Sequence, residues 1–220
     1  MRASIATRPP RAGLASARWD YSHRAVVTAM TEDLDTCVGE VLKKLDELHI
    51  ADNTIVIYTS DNGGRTSYLK GGKGDLNEGG VRVPLIVRAP GIKGGVWSNE
   101  PVISYDLTAT VLDFVAPGFE LPKGSEGGSW KPVLINNGNG KVKRPIDRFV
   151  WHQVTEVTDP HSAIRKGDFK LVYDWKSREA RLFDLSKDVT EEHNLAADKA
   201  ELTKELQREL KEHIRAGLGE

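Results

Sequence analysis

The sequence predicts an α/β fold closed by a small antiparallel subdomain, and three observations carry that expectation. A long stretch of helical spacing runs into a short β-branched segment, Thr54-Ile55-Val56-Ile57-Tyr58-Thr59, which has the texture of a strand buried on both faces of a parallel sheet. A second segment of the same kind, Val83 to Arg88, follows across a glycine-rich loop. From about Phe149 the pattern changes to short strands parted by polar turns and ends in a helix. With 220 residues, 39% of them hydrophobic, the chain is long enough to bury a core without disulfides or a metal staple.

Taken in order, residues 1–20 stand apart. Met1 to Arg18 is rich in Ala, Arg, Ser and Pro, has no apolar periodicity and lacks the apolar core of a secretory signal. It reads as disordered or non-native, although its Arg/Ser bias is shared by transit peptides. Between Ser22 and Leu48, the positions Leu34, Val38, Val41, Leu42, Leu45 and Leu48 fall on one face of a long amphipathic helix. Asp52-Asn53 breaks that pattern before the first strand.

Asp61-Asn62-Gly63-Gly64 closes the strand and opens the loop that runs to Gly80. After Val83 to Arg88, Ala89-Pro90-Gly91 marks a turn, Asp106 is placed to cap a helix through Phe114, and Pro117-Gly118 stops it. Another helix–strand unit is expected there. The glycine- and asparagine-rich stretch from Asn136 to Pro145 suggests a boundary, with residues 21–140 forming the α/β part and residues 141–220 the antiparallel subdomain. In the latter, Ser162–Arg165, Phe169–Tyr173 and Arg181–Leu185 read as strands of a meander, with turns at Lys166-Gly167-Asp168 and Lys176-Ser177-Arg178. The final helix, Lys199 to Ala216, spaces Leu202, Leu206, Leu210 and Ile214 four apart and is expected to stop at Gly217.

Charge excludes some functions. Lys+Arg is 31 against Asp+Glu 32, a formal net charge of -1, so no basic field for nucleic acid exists. The four arginines of residues 1–18, unaccompanied by acids, leave the rest with 27 basic against 32 acidic residues. No apolar run approaches the roughly 20 residues needed to span a bilayer. The single cysteine, Cys37, makes neither an internal disulfide nor a zinc cluster and reads as a packed helix residue. None of the six histidines has the i, i+4 spacing of a helical zinc site, and His152, near a strand end, reads as a satisfied or exposed histidine.

Chemistry is best sought beyond the carboxyl ends of the strands, where loops converge. Asp61-Asn62 lies there and offers hard oxygen ligands of the kind Ca²⁺ or Mg²⁺ takes, with Gly63-Gly64 allowing a tight backbone. Taken alone, the same residues make a plain Asp-Asn-Gly turn. Lys70-Gly71-Gly72-Lys73-Gly74 places two ammonium groups on a flexible backbone suited to an anion, yet it fails the spacing of a phosphate-binding loop and by itself reads as a solvated, mobile loop. In the following run, Glu78 and Arg82 are spaced for an ion pair that orders the turn.

Together these pieces resemble the sulfatase family. The carrying residues are Ala29-Met30, Leu34-Asp35, Val38-Gly39 and Val41-Leu42, then Thr59-Ser60-Asp61-Asn62-Gly63-Gly64 and Lys70-Gly71-Gly72-Lys73-Gly74. Glu78-Gly79-Gly80-Val81-Arg82-Val83-Pro84-Leu85 and Ser104-x-Asp106-Leu107 follow, then Ala163 to Leu171 and Leu182-Phe183-Asp184-Leu185. The resemblance implies an alkaline-phosphatase-like α/β core, present in part, with a small antiparallel sheet and helix behind it. It implies hydrolysis of sulfate esters, aryl or carbohydrate, with Asp61 and Asn62 as metal ligands, usually to Ca²⁺ and with Mg²⁺ as the alternative, and Lys73 as the sulfate contact. Relatives are often periplasmic, secreted or lysosomal.

The sequence also departs from the family. Its members generate formylglycine from the Cys or Ser of a Cys/Ser-x-Pro-x-Arg segment, and Cys37 is followed by Val38-Gly39-Glu40-Val41. No segment of the 220 residues supplies that motif or the acidic pair that completes the metal site. The chain therefore resembles the C-terminal half of a sulfatase and is expected to be inactive alone, with an exposed sheet edge as a route to self-association. Two other functions compete: a non-catalytic binding module derived from a sulfatase, and a phosphoesterase of the same superfamily.

Overall fold

A computed structural model describes residues 24–64, 68–154 and 160–218, so the segment 1–20 lies outside the described residues. The chain divides into two compact units, residues 1–54 and 55–220.

In the first unit the stripe of spaced apolar residues forms helix α1 (Arg24–Glu47). Lys43 and Lys44 reach forward to Glu47 in its last turn. The helix ends in a Schellman arrangement: His49 adopts φ +56°, the Ile50 N–H donates to the Leu45 carbonyl at 3.1 Å and the His49 N–H to the Asp46 carbonyl at 3.0 Å. A 3₁₀ turn, Ala51–Asn53, leads out. Cys37, expected to be packed, is exposed, as are Leu34, Val41 and Leu48 of the stripe itself.

The second unit begins with β1 (Val56–Thr59), which pairs with β2 (Leu85–Arg88) in the register Val56↔Arg88 to Thr59↔Leu85. The pairing is antiparallel, not parallel as the sequence suggested. A parallel pair needs a long crossover, usually helical, and among the described residues between these strands the single turn α2 (Glu78–Val81) is the only helix. Nor are the strands buried on both faces: β1 is half-buried and Ile86 of β2 is exposed.

Helix α3 (Asp106–Val115) is followed by α4 (Lys131–Ile135), and no strand lies between them, contrary to the expected helix–strand unit. The cap position of α3 is Tyr105, not Asp106. Asp106 is instead the first helical residue and is fully buried, because its carboxylate serves a tertiary clasp. It accepts from the Gly128 N–H at 2.9 Å, the Ile103 N–H at 3.0 Å and the Arg144 guanidinium at 2.6 and 2.9 Å. Trp130, Val133 and Val142 form a small core with Ile57 and Val87, tying α4 to the β1–β2 pair.

The meander is present. Strands β3 (Phe149–Gln153), β4 (His161–Lys166), β5 (Phe169–Asp174) and β6 (Ala180–Asp184) lie side by side in that order, all antiparallel. Its tight turns need left-handed residues, and Gly167 at φ +59° and Arg178 at φ +61° supply them. Side chains alternate between the faces of this sheet. Ile164, Leu171, Tyr173 and Leu182 pack on Leu206, Leu210 and Ile214 of helix α5 (Ala200–Leu218). Ala163, Val172 and Phe183 point the other way, onto Leu76 and Val81 of the glycine-rich loop. Gly217 does not stop α5 but lies within its last turn, away from the left-handed conformation that would end a helix.

Candidate active site

The carboxyl end of β1 runs into Ser60-Asp61-Asn62-Gly63. Asp61 is exposed and its Oδ1 accepts from the Asn62 N–H at 2.9 Å, while the Asn62 side-chain amide donates to the Gly63 carbonyl at 2.7 Å. Asn62 is thereby oriented through its side-chain nitrogen, and its side-chain oxygen takes no part in that bond. The donors are of the hard oxygen type that Ca²⁺ or Mg²⁺ takes, but two residues fall short of the six to eight oxygens typical of Ca²⁺. Among the described residues, no group of three or more His, Cys, Asp or Glu side chains converges on them or elsewhere.

Gly63 is where this turn meets the rest of the loop. Its N–H donates to the Gly80 carbonyl at 2.8 Å, and a Cβ at Gly63 would stand 2.1 Å from the Gly79 carbonyl oxygen. The opposite side of the Gly79-Gly80 turn is equally tight: a Cβ at Gly80 would meet the carbonyl oxygens of Asp75 at 2.0 Å and Gly72 at 2.5 Å. Only glycine fits, because backbone touches backbone with no space for a methyl group. The Gly79-Gly80 turn is thus sandwiched between the Asp61–Gly63 turn and the segment from Gly72 to Asp75.

Lys73 sits on that segment. The Asp75 N–H donates to the Gly72 carbonyl at 2.9 Å and Gly74 holds φ +92°, the left-handed position of a type II turn, with Lys73 before it at the tip. Lys73 is exposed. The Gly79 N–H also bonds the Lys70 carbonyl at 2.8 Å, so backbone contacts hold both ends of this segment. The structure therefore gathers the predicted residues around one glycine pack, with the carboxylate–amide pair on one flank and the ammonium on the other.

Behind this pack lies a buried charge cluster that the sequence did not reveal. Lys170, on β5, has no exposed surface and places Nζ 2.9 Å from Glu78 Oε1 and 3.1 Å from Glu191 Oε1. The Glu78 N–H donates to Glu191 Oε2 at 2.7 Å, and Lys70 Nζ to the Glu191 carbonyl at 3.2 Å. The expected Glu78–Arg82 pair forms at 3.4 Å, but Arg82 is largely exposed and is the lesser partner. Burial lowers the pKa of neighbouring Arg165, with the Glu78 charge opposing. The available signal was the unbroken apolar run Leu171-Val172-Tyr173, which indicates a strand covered on both faces and hence a lysine at 170 in need of buried carboxylates. His152 is satisfied, its Nδ1 lying 2.7 Å from Ser162 Oγ.

Comparison with known proteins places the chain in a family. A family model described as Sulfatase matches residues 7–116, and one described as N-sulphoglucosamine sulphohydrolase, C-terminal, matches residues 73–217. The chain belongs to the sulfatase family. It is 33% identical to N-acetylglucosamine-6-O-sulfatase of Bacteroides thetaiotaomicron over 91% of this chain and 37% of that protein. It is 31% identical to Arylsulfatase K of Mus musculus over 86% and 35% of the two chains.

A protein solved with its substrate D-glucosamine-2-N,6-O-disulfate superposes with a TM-score of 0.62 at 32% identity, over 83% of this chain and 37% of the other. One solved with k-i-k-neocarrahexaose gives 0.70 at 26%, over 81% and 40%. The chain thus spans about two fifths of the length of these relatives, and its fold is part of the alkaline-phosphatase-like α/β architecture they share. No described helix is long and apolar enough to cross a membrane.

Proposed function

We propose that this chain carries the Lys73 sulfate contact and the Asp61-Asn62 metal ligands of a sulfuric ester hydrolase acting on sulfated carbohydrates or aryl sulfates. The observation that carries the proposal is the single glycine pack that holds the strand-end oxygens on one flank and the lysine turn on the other. Relatives named for N-acetylglucosamine 6-sulfate and aryl sulfate chemistry support the substrate class. Lys73 binds the sulfate through its ammonium group, and Gly72 and Gly74 keep its approach clear. A divalent cation, Ca²⁺ or Mg²⁺, would be held by Asp61 and Asn62 and would supply positive charge to offset that on the sulfate as the ester oxygen leaves. Water or protein beyond these two residues would complete its shell.

Thermal unfolding tests both assignments. Titration of the 220-residue chain with CaCl₂ into the tens of millimolar should raise Tm, since a ligand at ten times Kd contributes about 1.4 kcal/mol, or roughly 3–6 °C for a domain of this size. Asp61→Ala should abolish that rise. Inorganic sulfate should give a second rise that Lys73→Ala removes. A calcium shift retained in Asp61→Ala, a sulfate shift retained in Lys73→Ala, or no shift with either ion would overturn the corresponding assignment.

A further inference from the structure

We infer that Glu191, braced by Lys170, is a positioning residue that clamps both ends of the loop carrying Lys73. Its consequence for sulfate rests on the role proposed for Lys73, but the clamp itself does not. The loop departs at Lys70 and returns at Glu78. The departing end is tied by Lys70 Nζ donating to the Glu191 carbonyl at 3.2 Å, and the returning end by the Glu78 N–H donating to Glu191 Oε2 at 2.7 Å. A single residue, 113 positions beyond Glu78, therefore binds both ends with two different oxygen atoms. Glu191 is fully buried and adopts φ +57°, a left-handed conformation that residues other than glycine adopt at a cost and that surrounding contacts must maintain.

The electrostatics explain why the clamp has one setting. Glu78 and Glu191 bring two carboxylates together out of water, and Lys170 lies between them at 2.9 and 3.1 Å, with Arg82 adding a second cation 3.4 Å from Glu78. Buried ion clusters add little net stability, but any displacement leaves a charge unpaired in the interior, so they discriminate strongly between one loop position and its neighbours. The setting reaches the candidate site through backbone alone. Glu78 is followed by Gly79 and Gly80, which touch Gly63 on one side and the Lys73 turn on the other with no side chain to absorb a shift.

Amide hydrogen exchange of the full 220-residue chain, read by mass spectrometry, tests the clamp. Glu191→Gln keeps the size and an acceptor oxygen while removing the charge that faces Lys170, and Lys70→Met removes the departing tie together with the ammonium that lies 5.6 Å from the centroid of the Phe183 ring. Each should accelerate exchange in peptides covering residues 68–82 by about tenfold while leaving β4, β5 and α5 unchanged, since local opening is governed by local contacts. Unchanged loop exchange in both variants would overturn the inference. So would equal acceleration through β4, β5 and α5, which would make Glu191 a general structural residue. If Glu191→Gln does not fold, Lys70→Met, altered at an exposed side chain, carries the same test.

A second readout uses inorganic sulfate. Sulfate should slow exchange of the loop in the parent chain, and Glu191→Gln should need about tenfold more sulfate for the same slowing, a difference of about 1.4 kcal/mol. If sulfate has no effect on the parent while both variants still release the loop, the Lys73 assignment fails and the clamp stands.

Discussion

At the scale of single residues, the turn between β5 and β6 and the turns that follow β6 are braced by aspartates whose carboxyl pKa values are lowered. The Ser186 hydroxyl donates to Asp184 Oδ1 at 2.6 Å and its N–H at 3.2 Å, lowering the Asp184 pKa against the desolvation that opposes it. For Asp174 the Ser177 N–H is the main cause of a similar depression. At Asp188, desolvation is the largest influence and raises the value, yet the N–H groups of His193 and Glu192, the Thr190 hydroxyl and the His193 charge together bring it down. A folded pKa below the unfolded value of about 3.9 means stability that is fully present above that pH and lost as pH falls through the folded value. Ser186→Ala should therefore move Asp184 upward in a carboxyl NMR titration. Its acid unfolding should also depend less on pH from about pH 4 downward. An unmoved Asp184 titration would show that the Ser186 bond does not set it.

At the scale of elements, α5 is the largest apolar cover of the four-stranded sheet. Leu206 and Leu210 have no exposed surface and sit among Ile164, Leu171 and Leu182. Truncating either to alanine removes buried methyl groups and leaves a cavity, so Leu210→Ala should cost about 2–5 kcal/mol in chemical denaturation. A loss below about 1 kcal/mol would mean that the helix is not anchored there.

This element and α1 were legible in the sequence because apolar side chains recur at helical spacing, and strands β4 to β6 because polar turns part short apolar runs. The pairing direction of β1 and β2 was not. A β-branched run records burial potential, whereas direction is decided by the loop between the strands, whose compact glycine pack replaced the helix of a crossover. In the candidate site, Asp61, Asn62 and Lys73 stood out only through the resemblance to the sulfatase family, since alone they read as a plain turn and a solvated loop. Lys170 and Glu191 were hidden, since a lysine and a glutamate far apart in the chain look like surface residues until the fold places them together.

At the scale of the whole molecule, the 220 residues contain no Cys/Ser-x-Pro-x-Arg segment, the source of the family's nucleophile. The purified chain with Ca²⁺ should accordingly hydrolyse no aryl sulfate. Turnover that Lys73→Ala abolishes would instead establish the sulfate site together with chemistry independent of formylglycine.

The clamp also imposes an order on biosynthesis. The ribosome completes the glycine loop and then adds 113 more residues between Glu78 and Glu191, which at ~5–20 residues per second takes roughly 6–23 s. Throughout that interval the nascent loop already has its lysine and glycines but lacks the residue that joins its two ends. The Lys73 turn is therefore made well before the residue that fixes its final shape.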